Sequence, residues 1–112
     1  MCFAIKKIYL SEEPDEGDPE SQKNFNTDVI VLTEEEDEES EIVLVKYVAS
    51  FFTYSNLHDL QARHEKTGEN LNGKYFYARN MVLVNECSIS NIEVIIRHMI
   101  DEGEFREAFR KI

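Results

Sequence analysis

The sequence predicts an α+β fold: a mostly antiparallel sheet of about four to five strands with helices packed on one face, in the order β-β-β-α-β-β-α-α. Three observations carry that expectation. β-branched and aromatic residues cluster in short blocks over the first fifty positions. Helix-start and helix-stop residues appear only afterwards, at Ser55 and Gly68 and again at Ser90 and Gly103. Isoleucines then recur at helical spacing from Ile92 to Ile100. At 112 residues, 42% hydrophobic and 11% aromatic, the chain has the size and apolar content of one compact domain spanning 1–112.

The elements follow in order. Residues 2–10 read as a strand. Residues 11–27 carry Pro14, Gly17, Pro19 and six acids with almost nothing apolar, so a mobile loop is expected there. Val29 to Thr33 form a short strand, residues 34–40 an acidic, mobile hairpin tip, and Ile42 resumes the sheet. Alternation places Ile42, Leu44 and Val48 on one face and Val43, Val45, Tyr47, Ala49 and Phe51 on the other, which marks a central strand. Ser55 is expected to cap a helix to about Lys66, closed by Gly68. Residues 75–78 and 81–84 read as two strands, or one bent strand, about Asn80, which tolerates a positive φ. Ser90-Asn91-Ile92-Glu93 has the form of a capping box, with Ile89 and Val94 spaced as a hydrophobic staple. Phe105, Ala108, Phe109 and Ile112 predict a last amphipathic helix packed back on the sheet.

Charge is placed unevenly. The first fifty residues hold fourteen acids and four lysines, a net of −10, and the remaining sixty-two contribute −1 to the total of −11. Such a surface repels nucleic acid and anionic membrane and attracts basic partners. The basic side chains from Arg63 to Lys111 are interleaved with acids and form no phosphate-tracking stripe, so direct nucleic-acid binding is not expected. Cys2 and Cys87 form no C-x-x-C pair and read as reduced thiols in a cytoplasmic protein. The lysines follow the first apolar residues, the reverse of a signal peptide, and no apolar run approaches a membrane span.

The motifs that suggest chemistry read as structural ones. Gly68 to Lys74 fits G-x-x-x-x-G-K, but Tyr75 replaces the magnesium-binding hydroxyl residue and the motif follows a helix rather than a strand. A helix stop and an Asn72-Gly73 turn account for both glycines. His58 and His64 lie six apart on one helix, about 120° from a shared face, and do not chelate one ion. A scattered site using Cys2, Cys87 and a histidine needs the fold to assemble it. Cys87 beside His98 or His64 would suit a nucleophile, but the adjacent Glu86 raises a thiol's pKa, and a half-buried cysteine is expected. The acids sit in solvated runs without EF-hand spacing, so neither a desolvated catalytic pair nor a calcium loop is expected. No catalytic residue, metal site or cofactor is assigned.

What remains is a non-catalytic acidic module that binds a basic protein. By analogy of size and charge it stands beside inhibitors and immunity-type proteins that occupy the cationic cleft of a nucleic-acid enzyme. The expected contact residues are Glu34, Glu35, Glu36, Asp37, Glu38 and Glu39, with Tyr75 and Tyr77 as aromatic anchors on the sheet. The alternatives are a small enzyme with an unannounced site and a subunit of a homo-oligomer.

Overall fold

The computed structural model describes residues 3–15 and 17–112; Cys2, named above, and one of the six acids of the 11–27 stretch, Glu16, lie outside them. The class is α+β, with a five-stranded, mostly antiparallel sheet. The elements are β1 (Phe3–Leu10), α1 (Pro19–Lys23), β2 (Asn26–Glu36), β3 (Ile42–Thr53), α2 (Tyr54–Thr67), α3 (Glu69–Gly73), β4 (Met81–Val84), α4 (Ile89–Asp101), α5 (Phe105–Ala108) and β5 (Arg110–Lys111). The strands β1, β2 and β3 form an antiparallel meander. β4 pairs parallel to the end of β3, from Ser50↔Met81 to Thr53↔Val84, after the α2 crossover. The expected central strand is β3, which has neighbours on both sides over its second half.

The alternation read from the sequence sets the core. Val45, Tyr47, Ala49 and Phe51 on β3 and Val29, Val31 and Thr33 on β2 are buried on one face. That face is covered by Ile92 and Ile96 of α4 and by Phe105 and Phe109. The two phenylalanines stack at 4.6 Å, and Phe105 meets Tyr47 edge-on at 5.1 Å. At the far end of the sheet Phe52 points the other way and packs on Phe76 at 5.2 Å, which in turn stacks on His64 of α2.

Local grammar and tertiary structure disagree at five places. Residues 75–78 form no strand: Phe76 turns inward onto Phe52 while Tyr75 and Tyr77 turn out. The fifth strand is instead the C-terminal β5, paired with Tyr47 and Val48, because the last helix stops at Ala108 and Phe109 is extended (φ −99°, ψ 142°). Thr53, not Ser55, caps α2: its buried Oγ1 accepts the Asn56 and Phe25 amides and so serves helix and sheet together. Ser88, not Ser90, caps α4, because Cys87 is fully buried and its amide donates to the Gln22 carbonyl at 2.8 Å, which turns the chain one step earlier. Ile89 and Val94, the expected staple, are exposed. The 11–27 stretch is not one loop either. Asp18 caps the short α1, β2 begins at Asn26, Pro14 is buried, and the Thr27 hydroxyl bonds both the amide and the carbonyl of Glu12.

The outline is elongated, at 54 × 33 × 23 Å. A compact chain of this length has a radius of gyration near about 13 Å; the observed 16.0 Å reflects the long β2–β3 hairpin. Twelve residues of β3 span about 40 Å, and its first three, Ile42, Val43 and Leu44, are exposed by 56, 37 and 64%. The buried run starts only at Val45, so the hairpin extends past the helical layer as an arm. No helix among the described residues is long and apolar enough to cross a membrane.

Candidate functional site

The hairpin arm is where the fold gathers the acids, and it sorts them by position. Glu34, Glu35 and Glu36 belong to β2 and pair across to Leu44, Val43 and Ile42 rather than sitting in the tip. Glu34 reaches Lys6 at 2.9 Å, on the bulge that interrupts β1 between Ile5 and Lys7. Glu35 points to the core face, its side chain only 13% exposed. Its Oε2 accepts the hydroxyls of Thr33 and Tyr47, both at 2.8 Å, and its Oε1 accepts Arg106 Nη2 at 2.9 Å. Arg106 in turn lies over the Phe3 ring, 5.3 Å from its centroid.

The electrostatics of that knot follow from its donors. Burial is the largest influence on Glu35 and acts upward. The hydrogen bonds from Thr33, Tyr47 and Arg106, with the guanidinium charge, outweigh it, so the carboxyl titrates below its ordinary value. Tyr47 is pushed up, first by burial and then by the carboxylate it donates to. Glu35 therefore stays ionised near neutrality with both oxygens engaged, which suits a latch between sheet and α5 and neither a general acid nor a free contact. Nothing in the spacing of the acidic run distinguishes Glu35; only its cross-strand neighbours do.

The tip is built differently. Asp37 Oδ1 accepts the amides of Glu39 and Glu41, both at 2.9 Å, and the Asp37 amide donates to Glu41 O at 2.8 Å. Ser40 takes φ 63° to close the turn. Asp37 is thus the residue that shapes the turn. The side chains of Glu38, Glu39 and Glu41 are exposed, with no hydrogen-bond or ion-pair partner among the described residues. Glu41 was not among the expected contact residues; its signal was only that it continues the acidic run past Ser40.

Tyr75 and Tyr77 are exposed by 55 and 76%, in the connection between α3 and β4. No hydrogen bond, ion pair or ring contact among the described residues links them to the acidic tip. Compared with protein-family models, curated proteins and solved structures, the chain matches none.

The residues weighed for chemistry are placed as follows. Cys87 is fully buried rather than half-buried, its Sγ 3.8 Å from the Phe25 carbonyl oxygen, and burial, not Glu86, pushes its thiol up to about 11. A thiol so placed is a poor nucleophile. His58 and His98 are exposed; His64 is buried, with Nε2 3.5 Å from Glu69 Oε2 and Nδ1 without a partner. Among the described residues no three histidines, cysteines or acids gather as metal ligands. In the G-x-x-x-x-G-K segment, Gly68 (φ 86°) ends α2 as expected. Asn70, Leu71 and Asn72 then form a left-handed turn, and Gly73 lies so close to α2 that a Cβ there would stand 2.8 Å from the Gln61 carbonyl oxygen.

Proposed function

We propose that this chain is a non-catalytic binding module whose hairpin arm engages a basic protein, in the manner of an inhibitor or immunity-type protein seated in the cationic cleft of a nucleic-acid enzyme. The observation that carries the reading is the arm: Glu38, Glu39 and Glu41, unpartnered among the described residues, stand directly beside exposed Ile42, Val43 and Leu44 at the free end of the hairpin. Acids of this kind raise encounter rates by about 10–10³ at low ionic strength. Apolar side chains next to them supply the desolvated contact that slows dissociation. In this reading the acids divide their roles. Asp37 shapes the tip, Glu38, Glu39 and Glu41 meet the partner, and Glu34 and Glu35 hold the arm to the body. Such a partner places the protein in the cytoplasm with its thiols reduced.

The test is affinity capture from source-cell lysate at low and high salt, with the wild type and a Glu38→Gln/Glu39→Gln/Glu41→Gln variant as baits. A stoichiometric basic protein should be retained by the wild type, lost with the variant and released by salt. Recovery of the same proteins with both baits, or of bait alone, rejects the reading.

A further inference from the structure

The hairpin arm leaves one stretch of sheet edge open, and we propose that this edge, residues 42–45 of β3, pairs antiparallel about a two-fold axis with the same edge of a second copy of this chain. The backbone shows which groups are available. Even-numbered residues of β3 turn their peptide groups away from β2: Lys46 O accepts the Ile112 amide at 2.9 Å, and the Ser50 amide donates to Asn80 O at 2.9 Å. By the strict alternation of an antiparallel strand, Leu44 and Ile42 present N–H and C=O outward in the same way. No described strand meets them there. Pairing Leu44 of one copy with Ile42 of the other satisfies all four groups of each chain and leaves the bond between Ile112 and Lys46 in place.

The outer edge of β1 and the open stretch of β3 differ in how they are guarded. The outer edge of β1 carries a bulge between Ile5 and Lys7 and two lysines, Lys6 and Lys7, features that deter strand addition. The β3 edge runs in unbroken register from Ile42 to Phe52 and shows three apolar residues with no charge among them. Its ends are of opposite sign: Glu39 and Glu41 flank the tip end, Lys46, Arg110 and Lys111 the inner end. Antiparallel pairing brings the acidic end of each copy against the basic end of the other, whereas parallel pairing sets like against like. This complementarity makes a second copy the occupant that the edge fits. Val43 of each chain then meets at the axis and the Ile42 and Leu44 side chains are shared. Three apolar residues a side fall well short of the roughly 800 Å² per partner of a standard interface, so the pair is weak and its formation depends on concentration.

A second copy and a basic partner would compete for this edge, and the inference is tested separately, on the purified chain alone. Sedimentation equilibrium at about 0.15 M salt, where screening beyond about 8 Å leaves only neighbouring charges to act, is run from about 10 µM to about 1 mM, the span over which weak complexes form. The wild-type mass should rise toward that of a dimer. Leu44→Pro removes an outward N–H and no β2 ladder bond, so the fold persists, confirmed by circular dichroism, while the dissociation constant rises at least about tenfold through one hydrogen bond lost per chain. Lys46→Glu should weaken the dimer comparably, and Lys23→Glu, the same change in net charge on α1, should not. If Leu44→Pro fails to fold, Ile42→Lys/Leu44→Lys keeps the backbone and sets lysines opposite one another, with the same loss expected. A wild type that stays monomeric throughout the range, or a dimer indifferent to these edge substitutions, overturns the inference.

Discussion

At the root of the hairpin Glu35 receives three donors within 2.9 Å and holds β2, β3 and α5 together; at its tip the Glu38 and Glu39 side chains make no hydrogen bond or ion pair among the described residues. Four positions separate Glu35 from Glu39 in one unbroken acidic run. The difference arises from what lies across the sheet. Glu35 falls on the buried face beside Tyr47 and within reach of Arg106, whereas the tip has passed beyond the helical layer. Burial is costly for a carboxylate without donors, and the root supplies them; at the tip the carboxylates stay in water and need none. The same residue type thus holds the fold at one end of the arm and, among the described residues, stays unpaired at the other.

The sharpest way to break this comparison is to remove the root carboxylate. Glu35→Ala leaves the Tyr47 hydroxyl and the Arg106 guanidinium without their acceptor and the Thr33 hydroxyl with only the Val45 carbonyl at 3.3 Å, and should destabilise the domain by about 3 kcal/mol. Chemical denaturation checks it. A loss no larger than that of Glu39→Ala would place Glu35 among the free acids and dissolve the distinction. The pH dependence carries the same information with its sign fixed by the shifts. Glu35 titrates lower in the folded chain than its ordinary 4.5, so its contribution is present above that value and is lost as pH falls through the folded pKa. Tyr47 titrates above its ordinary 10.0, so its contribution is present below that value and is lost as pH rises through the folded pKa. Glu35→Gln should therefore flatten the acid limb of the stability profile below about pH 4.5; an acid limb as steep as that of the wild type would mean that other carboxylates set it.

A smaller effect separates local grammar from tertiary choice. Ser88→Ala should cost about 1 kcal/mol, because Ser88 Oγ accepts the Asn91 amide at 3.4 Å and caps the start of a helix whose Ile92 and Ile96 are fully buried. Ser90→Ala should change little. The reverse result would restore the capping box that the sequence suggests. The two serines illustrate what was legible and what was not. Periodicity gave the helix, its apolar face and its end at Gly103, since those depend on neighbours along the chain. The starting residue depends on Cys87 being drawn into the core and on Gln22 holding its amide, contacts that no local pattern contains. Thr53 displaces Ser55 for the same reason, and β5 replaces an expected strand at 75–78 because the inward-facing Phe76 and the extended Phe109 are set by distant rings. For the arm, composition pointed to the acidic run and alternation to both faces of β3. Only the structure divides that run between root and tip and leaves Ile42, Val43 and Leu44 uncovered.

The smallest expected effect on stability is also the most telling for function. Glu38→Gln/Glu39→Gln/Glu41→Gln removes three charges that pair with nothing among the described residues, so the unfolding midpoint should stay unchanged or rise slightly as like charges cease to repel. Asp37 is left intact in that variant because its Oδ1 closes the turn, and replacing it would confuse shape with charge. If the tip acts by steering, the association rate with a captured basic partner falls while the dissociation rate scarcely moves, and added salt reproduces the variant's behaviour in the wild type. A change confined to dissociation would mean that the acids are buried against the partner on binding. A lowered unfolding midpoint would mean that the tip, like the root, is part of the scaffold.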